Sequence, residues 1–376
     1  MSKGAAVAAT SLWRRLLALW QALAGALLAG SSAHAAVLPE DHAEALLHNY
    51  DGGGVKANGP AFLVRKSLAD KVSLSGSYYV DAVSNASIDV VTTASPFKET
   101  RTAVGLGADY LVRDSLITLG LERSNEPDYK AQSLSLDIAN DMFAGMTTVS
   151  LGFTRGRDDV GKKTVGFFDK ATHWQYRAGV TQILSPRWLA SLNFEAVADD
   201  GYLGSPYRAA RVFGALVPER NPRTRSSRAV QLRTVGEVGE AGNRTALRAS
   251  FRHYWDNWAI KAETLELGAS RYFGERWLAD ASLRLYSQKK ALFYSDNAEA
   301  ETLYVSRNRQ LGAFNSSTLG MRLSYRFDGA AAKYGTQLTG ALERKRFRYS
   351  DFTDLRTQQP YGFDANVLQV WVSANY

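Results

Sequence analysis

LQVWVSANY, residues 368–376, decides the fold: Leu368, Val370, Val372, Ala374 and Tyr376 alternate with Gln369, Trp371, Ser373 and Asn375. A period of two makes one face apolar and the other mostly polar, which is the mark of a half-buried strand. An aromatic residue at the end of such a strand fits the aromatic-girdled barrels of the bacterial outer membrane. These five residues are read as a C-terminal assembly signal, presented to the outer-membrane assembly machinery.

The same rhythm runs back along the chain, through Val72, Leu74, Tyr78 and Val80, through Val104 to Val112, and through Leu319, Met321, Leu323, Tyr325 and Phe327. Counting alternations between Ala61 and Tyr376 yields fifteen strands. A barrel with both termini on one side needs an even number, and the segment Ala45 to Lys56, with its run Gly52 to Gly54, supplies the sixteenth or else forms a plug or short helix. The expected fold is all-β, a single transmembrane antiparallel β-barrel of about 16 strands, with 14 as the alternative.

Lys3, Arg14 and Arg15 precede the apolar run Leu16 to Leu28, and Ala33-His34-Ala35 offers a cleavage site, so residues 1–35 read as a secretory signal peptide. Residues 36–60 are then an N-terminal periplasmic segment, a plug or first strand, and residues 61–376 the barrel. Without the signal the formal charge falls from +8 to about +5, too weak an excess for nucleic-acid binding. The chain has no Cys, which excludes thiol chemistry and covalent c-type haem. No later stretch is apolar enough for a membrane helix, so a spanning chain must span with strands.

Tight turns at Leu68 to Lys71, Arg113 to Ser115, Ser185 to Arg187 and Gly274 to Arg276 alternate with long polar segments. The longest are Ser84 to Thr100, Val160 to Thr172, Asp199 to Arg225, Gln288 to Phe314 and Arg348 to Ala365. Short periplasmic turns and long extracellular loops are the asymmetry of a Gram-negative outer-membrane barrel. Tyr110, Trp188, Tyr272, Phe273, Trp277, Tyr325 and Phe327 lie near the tight turns, and Tyr78, Tyr79, Trp174, Trp255, Trp258 and Tyr286 near the long segments, as two interfacial girdles.

Opposite parity to the apolar residues places Arg177, Arg233, Arg248, Arg252, Arg284, Arg322, Arg326 and Lys345 in the lumen, with Asp109, Glu122, Asp137, Glu195, Glu266, Asp280 and Glu343. Arg or Lys facing mid-bilayer lipid would cost about 2 to 4 kcal/mol, so the parity supports the assignment. Bases dominate the later strands and acids the earlier ones, which sets up a lateral field; the competing reading is a set of cross-strand ion pairs that hold the lumen shut. Arg208, Arg211, Arg220, Arg223, Arg225 and Arg228 form a basic loop cluster opposed by Glu219, which would gather anions or sit against lipopolysaccharide phosphates.

Catalysis finds little support. His173 points inward, within reach of Glu195 or Asp199 on the next strand, but nothing marks a nucleophile. His42 and His48 with Asp41 and Glu44 read as a solvated polar segment rather than a metal site, and Asp51-Gly52-Gly53-Gly54 as a turn needing positive φ. No cofactor and no metal is expected, and the chain is read as a non-enzyme.

The blocks Tyr50 to Val55 (YDGGGV), Gly59 to Ser67 (GPAFLVRKS), Tyr78 to Phe97 (YYVDAVSNASIDVVTTASPF), Ser205 to Val212 (SPYRAARV) and Phe293 to Asp296 (FYSD) resemble a domain-of-unknown-function family of bacterial outer-membrane β-barrel proteins. The resemblance covers nearly the whole chain beyond the signal and implies a barrel without carrying over any catalytic residue. Members are often encoded beside lipoproteins, thioredoxin-like proteins and a flavin transferase, which implies periplasmic or lipoprotein redox partners. Two functions follow as expectations: porin-like passage or export of a small polar or anionic solute, and a non-conducting barrel whose segment Val37 to Lys56 docks a redox complex. An outer-membrane hydrolase using His173 is the third.

Overall fold

The computed structural model describes residues 36–85, 97–240, 244–328 and 335–376, so the expected signal peptide and most of the Ser84 to Thr100 loop lie outside the described residues. The strands are β1 (His42–Gly52), β2 (Val55–Ala69), β3 (Val72–Asn85), β4 (Phe97–Val112), β5 (Ser115–Asn125), β6 (Tyr129–Met142), β7 (Thr147–Lys162), β8 (Phe167–Ser185) and β9 (Trp188–Gly201). They continue as β10 (Ala209–Val212), β11 (Ala215–Pro218), β12 (Thr224–Val238), β13 (Thr245–Asp256), β14 (Lys261–Phe273), β15 (Trp277–Gln288), β16 (Phe314–Arg326), β17 (Gly335–Asp354) and β18 (Gln359–Asn375). Sixteen of these close into one antiparallel barrel in chain order, with β10 and β11 forming a small separate sheet between β9 and β12. No helix among the described residues is long and apolar enough to cross a membrane.

The seam of the barrel lies where the sequence was hardest to read. β1 pairs on one side with β18, from His42 opposite Asn375 to Gly52 opposite Ala365, and on the other with β2, from His42 opposite Arg65 to Gly52 opposite Val55. The stretch Ala45 to Lys56 is therefore neither plug nor helix: it supplies most of the sixteenth strand, β1, and the turn into β2, made by Gly53 and Gly54 at φ 60° and 79°, a region open to glycine without steric cost. The boundary expected at residue 60 falls inside β2. From His42 onward the segment expected as a docking arm is barrel wall.

Side-chain direction follows the expected parity. Leu119, Leu121, Leu232, Phe251, Leu283, Leu319, Leu342, Leu368 and Val370 are exposed on the outer face, as residues meant for lipid should be. The turn-end girdle is present, with Tyr110, Trp188, Phe273, Trp277 and Phe327 exposed and the Trp277 and Tyr325 rings 4.7 Å apart. The loop-end girdle is thinner than expected. Tyr78 is outward, but Tyr79 hydrogen-bonds His48 and Asp81 inside the barrel, Trp258 is buried in a turn, and Tyr286 packs on Phe314 within the wall.

Two of the expected long loops are strands. β7 runs to Lys162 before a short 3-10 turn and β8 resumes at Phe167, while β17 runs to Asp354 and β18 starts at Gln359. Beyond the lipid both faces of a strand meet water, so its hydrophobic alternation disappears while its hydrogen-bond ladder continues. The segments 202–223 and 289–313 are true loops.

Candidate functional site

Every expected lumen residue on β8 to β17 points inward, and most are paired. Arg177 Nη2 lies 2.8 Å from Asp137, and its Nη1 donates to Gln175, whose amide donates to Glu195. Arg252 reaches the other oxygen of Glu195 at 3.0 Å. Arg248 and Arg322 share Asp280 at 2.5 and 3.5 Å, Arg284 lies 2.9 Å from Glu266, and Lys345 is 2.6 Å from Glu343. Among the described residues, Arg233 and Arg326 have no ion-pair partner. Two of the pairs stay wet, Arg252 and Glu195 keeping 35% and 34% of their side-chain surface accessible and Arg284 and Glu266 38% and 49%, whereas Asp280 keeps 10% and Lys345 8%.

The acids concentrate on the opposite wall. Asp81, Asp109, Glu122, Asp137, Asp158 and Asp199 line β3 to β9, with Arg65 on β2, Arg101 on β4 and Arg177 on β8 as inward bases among them. Arg65 and Asp109 form a nearly buried pair that sequence reading missed, because the neighbouring inward positions of β2, Ala61 and Leu63, are apolar and disguise the lumen parity. With Arg225, Arg233, Arg248, Arg252, Arg284 and Arg322 facing them from β12 to β16, the lumen carries a transverse charge separation.

Over the mouth at the loop end, the two true loops join. Val212 bridges to Ala298 and Arg220 to Val305, around a small core of Ala210, Val212 and Val305. The joined loops are fastened at both ends. On one side Tyr207 donates to Asp128 in the β5–β6 turn and Lys162 donates to the Pro206 carbonyl at 3.0 Å. On the other, Arg307 binds Asp296 at 2.7 Å and the Thr353 carbonyl at 2.7 Å, with its guanidinium 4.2 Å from the Phe352 ring centre. Arg309 is buried on the inward aromatic rings of Tyr361 and Phe363, 5.4 and 5.5 Å away. The joined loops thus form a belt tied to the rim on both sides.

The expected basic cluster does not gather as one patch. Arg223 holds Asp169 at 2.7 Å, Arg225 turns into the lumen against Asp256 at 2.5 Å and over Trp258, and Arg220 donates to the Thr302 carbonyl. Arg211 donates to Gly214, and Arg208 lies within the belt. Arg228 sits on β12 facing outward. The cluster was a run in sequence that strand parity and loop folding disperse.

His173 does meet Asp199, at 2.6 Å from Nδ1, but its second partner is Asp158 at 2.8 Å from Nε2 rather than Glu195. Each ring nitrogen thus faces a carboxylate, an arrangement that a doubly protonated ring satisfies fully. On β1, His48 is not a solvated residue but stands 2.5 Å from the fully buried Asp81 and stacks on Tyr79. Among the described residues, no group of three or more His, Cys, Asp or Glu is placed to hold a metal ion.

Glu126, in the β5–β6 turn, is pushed up to about 7 by burial and by Asp81, against the pull of Arg101. A folded-state value above the unfolded one stabilises the protein below about pH 4.5, and this contribution is lost as pH rises through about 7. Thermal unfolding followed between about pH 5 and 8 is therefore expected to show falling stability, and Glu126→Gln to flatten the dependence. An equally steep fall in the variant would assign the titration elsewhere.

A family model described as a protein of unknown function, DUF3570, matches residues 27–165 and 162–339. The chain belongs to this family. A search of curated proteins finds no match. Among solved structures, this DUF3570 member is similar to a bacterial polysaccharide outer membrane secretin, with TM-score 0.51 and 9% identity over 89% of this chain and 97% of that one. It is also similar to CdiB from Acinetobacter baumannii, with TM-score 0.48 and 9% identity over 89% of this chain and 60% of that one. A third is Pseudomonas aeruginosa OpdK with vanillate, with TM-score 0.44 and 11% identity over 90% of this chain and all of that one. Identities this low speak to fold alone, and the fold is that of outer-membrane barrels.

Proposed function

We propose that this DUF3570 member resides in the bacterial outer membrane and passes a small polar, preferentially anionic solute through its lumen. The observation that carries the reading is the hydrated arginine wall of β12 to β16 facing an acidic wall across the barrel. Sixteen strands enclose enough width for water once side chains are placed, and a transverse field orients a charged solute during passage. The solvent-exposed pairs of Arg252 with Glu195 and of Arg284 with Glu266 support a wall that is lined by ion pairs rather than closed by them.

Planar-bilayer recordings of the purified protein in a salt gradient test this. Channels with anion preference are expected, and Arg233→Glu should shift the reversal potential toward cations. Arg233 is the residue of choice because removing it leaves no carboxylate orphaned, so the fold is not put at risk. Arg248→Ala with Arg284→Ala should weaken the anion preference. A silent bilayer, or a reversal potential that ignores all three changes, would sink the proposal.

A further inference from the structure

On its outer face, just above the apolar band, β17 presents Arg344, Arg346 and Arg348 at successive outward positions. All three converge on one carboxylate: Asp364 lies 2.8 Å from Arg344, 3.2 Å from Arg346 and 3.8 Å from Arg348. Arg344 also donates to Asn366 at 3.0 Å. Three guanidinium groups against a single acid leave surplus positive charge, and each keeps over half of its side-chain surface exposed.

Beside them runs a furrow of about 540 Å³ on the same outer face. Phe251, Leu265 and Leu285 form its apolar side and Arg346 and Arg348 the other; Glu263 also lines it, directed at His253, 3.7 Å away. An apolar trough at the upper edge of the lipid band, with guanidinium groups beside it, matches an acyl chain joined to a phosphate. Guanidinium groups bind phosphate with paired, charge-assisted hydrogen bonds. The geometry points to a binding site for a phosphorylated glycolipid of the outer leaflet, its acyl chain on Leu265 and Leu285 and its phosphate on Arg346 and Arg348.

The test uses the full barrel in detergent with bisphosphorylated lipid A, its dephosphorylated form and inorganic phosphate as probes, read by native mass spectrometry. The wild type should retain the bisphosphorylated lipid over the dephosphorylated one. Arg346→Ala with Arg348→Ala should lower retention about tenfold or more, whereas Arg155→Ala with Arg157→Ala, exposed on β7, should leave it unchanged. Asp364→Asn frees the three guanidinium groups and should raise retention, an effect opposite in sign to the loss of a merely structural ion pair. Equal retention by the Arg346/Arg348 variant, weaker retention by Asp364→Asn, or displacement of the lipid by an equal concentration of inorganic phosphate would each overturn the assignment.

Discussion

Releasing both ends of the belt, with Tyr207→Phe and Arg307→Ala in one chain, is expected to raise single-channel conductance several-fold. Arg307 is the stronger anchor. It binds Asp296 and the Thr353 carbonyl and lies on the Phe352 ring, while Asp296 in turn accepts from the Thr353 backbone amide at 3.2 Å. Hydrogen bonds of a charged group contribute about 1.5 to 3 kcal/mol each, comparable with the entropy of ordering one or two loop residues. With these two anchors gone, the core of Ala210, Val212 and Val305 still holds the loops to each other, while the rim keeps them only through Lys162 on the Pro206 carbonyl, Arg309 on its aromatic rings and the loop ends around Tyr294. Conductance and limited proteolysis should be measured on the same preparation. Loops that become cleavable while conductance stays constant would show that the belt does not narrow the passage.

Deleting β1, His42–Gly52, is expected to abolish the folded barrel altogether. The deletion strips β18 and β2 of a partner along eleven residues at once. Inside a bilayer each orphaned backbone group costs several kcal/mol, so the loss far exceeds the net stability of an ordinary fold. The measurement is the shift in gel mobility between unheated and boiled samples, which separates folded barrels from unfolded chains. A heat-sensitive, folded band from the deleted chain would mean that β2 and β18 can close the ring without β1.

The architecture was legible because lipid enforces a strict rule. Leu283 and Leu285, or Leu319, Met321 and Leu323, can face only outward, so their parity fixed that of Arg284 and Arg322. Where lipid ends, that constraint ends with it, and the extended hairpins at Val160 to Thr172 and Arg348 to Ala365 looked like loops. Tyr79 and Tyr286 stand at girdle height along their strands, but strand parity sends both inside. The pairing of His48 with Asp81, and of Arg65 with Asp109, joins residues on non-adjacent strands and leaves no local trace. The belt is hidden for a related reason: Val212, Ala298 and Val305 meet only after two loops with no periodicity have folded onto each other.

The seam between β1 and β18 has a consequence for how the protein is made. Among the described residues, the earliest strand in the chain, β1, has as its neighbours β2, which follows at once, and β18, which comes only at the far end of the series. Until then β1 is an open edge, a template for pairing with the wrong chain. Its correct partner is the most distant contact in the topology and the slowest to find by diffusion. The ring can therefore close only once β18 is available to meet β1.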